Sequence, residues 1–88
     1  MVIRKHLILN GDVQGVGLRY RTKYAASLYH VSGWARNCDD GSVEMELEGE
    51  EERLDLLLQT LQESPYIDIR DIRSKVIPIT GSYGFEIE

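Results

Sequence analysis

The period of the apolar residues changes abruptly in the middle of the chain, and that change limits the folds open to it. Val43, Met45 and Leu47 alternate with Glu44, Glu46 and Glu48, the two-residue repeat of a strand with one buried face. A few residues later Leu54, Leu57, Leu58 and Leu61 fall at i, i+3, i+4 and i+7, the stripe of an amphipathic helix. Gly49 reads as the end of the strand. Glu50, Glu51 and Glu52 follow where unpaired helix N–H groups favour carboxylates, and Ser64-Pro65 stops the helix.

The flanking segments extend the pattern. Residues 2–10 read as a first strand with Leu7 and Leu9 inward and Ile8 opposite. A loop with three glycines, 11–17, leads into a helix from Leu18 or Arg19 to Tyr29, with an expected apolar stripe of Leu18, Ala25 and Leu28 that Tyr29 can extend. Val31 to Cys38 is a second strand, in which Val31, Gly33, Ala35 and Asn37 share one face. Asp39-Asp40-Gly41-Ser42 is a hairpin turn. A fourth strand spans Ile67 to Ile77; its alternation slips near Asp71, as a bulge would make it. Pro78 to Gly84 is a loop, and Phe85-Glu86-Ile87 closes the chain. The order is β-α-β-β-α-β-β, an α+β, ferredoxin-like split βαβ sandwich with both helices on one face of a mainly antiparallel sheet. Eighty-eight residues suffice for one such domain, 1–88.

Composition removes several function classes. One cysteine, Cys38, permits neither an internal disulfide nor a Cys-pair metal site, and two histidines, His6 and His30, are too few for a His-based zinc cluster. No apolar run approaches the roughly 20 residues of a membrane span, and the start does not read as a signal peptide. The expectation is a soluble, cytoplasmic monomer. The net charge is −5, but residues 1–36 carry +5 and residues 37–88 carry −10, so an anion-binding group belongs to the first half.

There the glycine loop runs directly into a helix N-terminus. It matches neither Gly-x-x-x-x-Gly-Lys-Ser/Thr nor the dinucleotide fingerprint, since Tyr20 stands where a third glycine would. Its N–H groups can still converge on one anion. Arg19 enters the first helical turn, the unfavourable end of the dipole for a cation, and makes sense there if an anion sits between it and the backbone. The plainer reading pairs it with Asp12 or a C-terminal acid.

Gly11-x-Val13-Gln14-Gly15-Val16-Gly17-Leu18-Arg19-Tyr20, then Gly33-Trp34-Ala35-Arg36-Asn37 and Asp40-Gly41-x-Val43, resembles the acylphosphatase family over almost the whole chain. The resemblance implies hydrolysis of the carboxyl–phosphate bond of small acyl phosphates, without metal or cofactor; the glycine loop feeding a helix N-terminus beside Arg19 adds inorganic phosphate or sulfate as competing anions. It assigns phosphate binding to Arg19 and to the loop Gln14, Gly15, Val16, Gly17 and Leu18, and water orientation to Asn37. Four positions depart from the family's habit: Leu18 for Phe, His30 for Gly after the first helix, Ser64 for Gly before Pro65, and Glu88 for a closing Arg. His30 falls where a left-handed helix cap is expected.

Other candidates take structural readings. His6 is a strand side chain and Cys38 a small buried or half-buried one. Asp39-Asp40 is turn chemistry, the Glu44, Glu46, Glu48 row a solvated face, and Tyr20, Tyr24 and Tyr29 core and rim packing. Two alternatives stand beside the enzyme: an RNA-binding module and a non-catalytic regulatory module on the same fold. RNA binding fits poorly, because Glu44 and Glu46 stand where stacking aromatics are needed and the net charge is negative.

Overall fold

Leu7 and Leu9 on β1 (Val2–Asp12) and Val43, Met45 and Leu47 on β3 (Val43–Glu50) form the floor of the core, all fully buried. The two strands pair antiparallel at the centre of a five-stranded sheet ordered β4-β1-β3-β2-β5, described for all 88 residues in a computed structural model. β2 (Ser32–Asn37) pairs antiparallel with β3, β4 (Asp68–Ile77) antiparallel with β1, and β5 (Phe85–Ile87) parallel with β2. Helices α1 (Leu18–Tyr29) and α2 (Glu51–Gln62) complete the β-α-β-β-α-β-β order. Leu54, Leu57 and Leu61 are fully buried, as their spacing demands, and Leu58 is half-buried.

The slip expected near Asp71 is a bulge. Asn10 faces Asp71 and Gly11 faces Ile69, so Arg70 is the extra residue. At Gly33 the backbone of β2 approaches β3 so closely that a Cβ would stand 1.8 Å from the Glu46 carbonyl oxygen. His30 caps α1 with φ 58° and ψ 46°, the left-handed conformation anticipated there, and its N–H and that of Val31 both donate to the Ala26 carbonyl. A non-glycine residue in this conformation costs on the order of 1 kcal/mol. We therefore expect His30→Gly to raise the melting temperature by about 4–8 °C; a calorimetric scan showing no rise would mean the histidine side chain offsets the strain.

Three expectations need correction. Gly49 does not end its strand: β3 continues to Glu50, with Gly49 paired to Ile3. Leu28 is 57% exposed, and the buried face of α1 is Leu18, Thr22, Ala25 and Ala26, with Thr22 donating its hydroxyl back to the Leu18 carbonyl. The glutamate row is not solvated either. The loop after β4 folds across that face of the sheet, and Glu48 is 6% exposed beneath it. Glu48 accepts from the amides of Thr80 and Gly81 at 2.8 and 2.9 Å and from Arg4, itself buried, at 3.1 Å. Burial opposes ionisation of Glu48, but these donors outweigh it and hold the carboxyl below its ordinary 4.5. Arg4 also donates to Glu46, Thr80 and Ser82, so its charge is committed to fastening this loop. A buried guanidinium requires such partners.

Candidate active site

β1 delivers the chain to the glycine loop at one end of the sheet, and the loop delivers it to α1. Val13 is buried and starts the loop from the core, while Leu18, 1% exposed, ends it in the core. Between these anchors Gly15 and Gly17 adopt φ of 74° and 79°, and a Cβ on either would meet nothing within 4 Å. Their glycine character therefore serves the left-handed turn and keeps the surface bare, not close packing. Gly17 is the N-cap of α1, no side chain caps the helix, and its first turn holds no acidic residue. The unpaired first-turn N–H groups and the positive end of the dipole are thus open to an anion from outside.

Arg19 lies in this first turn, half-buried, and its Nη1 donates to the main-chain oxygen of Glu88 at 3.0 Å. Glu88 in turn donates its N–H to the Ala35 carbonyl at 2.9 Å, so the arginine is steered toward the edge of β2. Of the plainer pairings, that with Asp12 is not made, since Asp12 engages Arg70 at 3.2 Å, whereas the C-terminal acid Glu88 is engaged, through its main-chain oxygen and not its side chain. Asn37 ends β2, two residues beyond Ala35, opposite Val43. It is exposed, beside a shallow hollow it shares with Arg36, Cys38 and Asp39.

Gln14 joins these parts. Its Nε2 donates to the carbonyls of Cys38 and Ser42 at 2.7 and 2.8 Å, bracing the glycine loop against the turn that follows Asn37. That turn is itself rigid. Ser42 offers both its N–H and its hydroxyl to Asp40 Oδ1, at 3.0 and 2.6 Å, and these two bonds, the hydroxyl first, hold the Asp40 carboxyl below its ordinary value. In the sequence Gln14 is only one loop residue among six. The strut role escapes because its acceptors lie 24 and 28 residues away. The Asp40-x-Ser42 spacing, which favours an Asx turn, was the one available hint.

The side chains of the remaining candidates make none of the bonds that build this site. His6 Nε2 is 2.6 Å from Glu44 Oε2, and Arg36 donates to the other Glu44 oxygen at 2.6 Å while lying over the Trp34 ring. The Glu44 carboxyl is held low by the His6 contact first and by Arg36 next, against burial. Cys38 is half-buried, as expected. No three His, Cys, Asp or Glu side chains are grouped to hold a metal ion. Tyr29 is rim packing, its hydroxyl 3.2 Å from Thr60 Oγ1. Tyr20 and Tyr24 break their expectation: they are 68% and 74% exposed.

Comparison with known proteins agrees on one family. The acylphosphatase family model matches residues 5–87. An acylphosphatase of Geobacillus kaustophilus is 42% identical over 89 residues, covering 92% of this chain and 95% of that protein. The crystal structure of acylphosphatase from Bacillus subtilis superposes with a TM-score of 0.90 at 33% identity, covering 100% of this chain and 99% of that one. T. kodakarensis HypF contains a similar region, with a TM-score of 0.78 and 31% identity over 99% of this chain but only 12% of its own.

Proposed function

Since the chain belongs to the acylphosphatase family and hydrolyses acyl phosphates, we propose that Arg19 and the 14–19 amides hold the phosphoryl group while Asn37 aims the attacking water. The observation that carries this reading is the double hydrogen bond of Gln14, which makes the anion-favouring loop and the end of β2 one rigid unit. Positioning to this standard is a large part of catalysis, because a small misplacement of the reacting atoms costs rate steeply.

In this reading the phosphoryl oxygens sit against the loop amides and the guanidinium, which neutralise charge as the transition state develops. The Asn37 side-chain oxygen accepts a hydrogen bond from water and directs its lone pair at phosphorus. The water oxygen forms the new P–O bond as the bond to the acyl oxygen breaks. That electron pair leaves on the carboxylate, and the water proton passes to a phosphoryl oxygen. Products are a carboxylate and inorganic phosphate, and no side chain changes its protonation. A carboxylate leaves without a general acid, which explains why the site recruits no His, Asp or Cys. Every group named comes from one chain, so a monomer suffices.

The test is a substrate panel. Benzoyl phosphate should be hydrolysed rapidly and an alkyl phosphate monoester, whose alkoxide needs a proton donor, slowly. Inorganic phosphate should inhibit competitively, shifting backbone amide resonances of residues 14–19, and EDTA should leave the rate unchanged. Non-competitive inhibition, or amide shifts centred elsewhere, would overturn the assignment of the loop.

A further inference from the structure

Two tyrosines stand in water beside the phosphate loop, and nothing in the fold uses them. Gly17, Tyr20, Arg21 and Tyr24 follow one another at i, i+3, i+4 and i+7, so they share a single face of α1. Together with Val16 from the loop and Thr60 from α2 they line a groove of about 480 Å³, a size typical of small-molecule sites. Val16 and Gly17 belong to the groove and to the loop at once, so the two are continuous. Arg21 lies over the Tyr66 ring, 5.9 Å from its centroid, which places its charge at the rim. Thr60 is held by its own bonds to the Leu56 carbonyl and the Tyr29 hydroxyl.

Position gives the groove its meaning. Successive helix residues turn by roughly 100°, so the Tyr20–Tyr24 face is turned well away from Arg19. Arg19 leans toward Glu88 and β2, where Asn37 lies, whereas the groove opens toward α2. In-line displacement puts the leaving oxygen opposite the attacking water. With water held from the β2 flank, the acyl group leaves on the other flank of the helix N-terminus, where the groove begins.

We propose that Tyr20, Tyr24 and Val16 form the acyl-group subsite of this enzyme and select acyl phosphates with an aromatic acyl group over small aliphatic ones. The inference rests on the assignment of Arg19 and Asn37 above. Two exposed tyrosine faces and a valine offer an apolar, polarisable wall that a benzoyl ring fills and an acetyl group does not. The subsite sets specificity and takes no part in bond breaking, so a short acyl phosphate is indifferent to it.

The experiment compares kcat/KM for benzoyl phosphate and acetyl phosphate in the parent, Tyr20→Ala, Tyr24→Ala and the double variant, with exposed Tyr83→Ala as control. The benzoyl-to-acetyl ratio should fall about 5-fold in the double variant, with acetyl phosphate turnover and Tyr83→Ala unchanged. In the parent saturated with inorganic phosphate, benzoate should shift the amide resonances of Val16, Tyr20 and Tyr24, a readout independent of how the variants fold. An unchanged ratio, an equal loss on both substrates, or benzoate shifts elsewhere would overturn the subsite. Arg19→Ala and Asn37→Ala are run alongside. Were they active on both substrates, the underlying site reading would fail, and the subsite with it.

Discussion

Asn37→Ala should lower kcat by on the order of 100-fold while leaving the protein folded. The loss corresponds to about 2.7 kcal/mol of transition-state stabilisation, the size expected when an attacking water loses its alignment. Binding should change little, because in the proposed site the side chain addresses the water and not the phosphate, so KM should stay near the parental value. The variant is expected to fold because Asn37 is exposed at the end of β2, and surface substitutions away from special features alter stability by no more than roughly 0.5 kcal/mol. Steady-state kinetics beside a circular dichroism melt make the measurement. A folded Asn37→Ala protein with parental kcat would reduce Asn37 to a strand residue and remove the water from its place in the mechanism.

Arg19→Ala should do more damage and of a different kind. In the proposed site the guanidinium faces the phosphoryl oxygens in both the bound substrate and the transition state, so kcat should fall and KM rise together, with kcat/KM dropping by on the order of 1000-fold. Its bond to the Glu88 main-chain oxygen is lost as well, at a cost of about 1 kcal/mol in stability. Arg19→Lys should recover only part of the activity, since an ammonium restores the charge but not the two-pronged contact. Full recovery with lysine would show that charge alone matters. Parental kcat/KM in Arg19→Ala would move the phosphate site elsewhere.

How far the sequence could be read depended on whether the physics was local. The shift from two-residue to helical spacing between Val43 and Leu61 located β3 and α2, and the broken alternation at Asp71 announced the bulge at Arg70. The left-handed cap at His30 followed from a single substitution at the end of a helical pattern. What failed involved the approach of distant segments. Glu48 reads as a solvated strand residue until the 80–81 loop crosses the sheet and Arg4 is drawn in beneath it. On α1, Leu18, Thr22 and Ala25 compete with Tyr20, Tyr24 and Leu28 for burial, and sequence alone does not say which stripe meets the core. The site divides in the same way. Arg19 and Asn37 stand in motifs compact enough to recognise, whereas the Gln14 strut depends on two carbonyls that only the folded turn presents.

The strand order has a colloidal consequence. A sheet with β4 and β5 at its margins shows two rows of backbone groups that a neighbouring molecule could extend. The longer row is interrupted at Arg70, where the extra residue throws a visiting strand out of step. Half of β4 is charged: Asp68, Arg70, Asp71, Arg73 and Lys75 would have to give up their hydration to be matched in a stacked ribbon. The other margin is only three residues long, too short to template an intermolecular sheet. Margins of this kind discourage edge-to-edge pairing, and that resistance is written in the same irregularity that bends the strand beside Gly11.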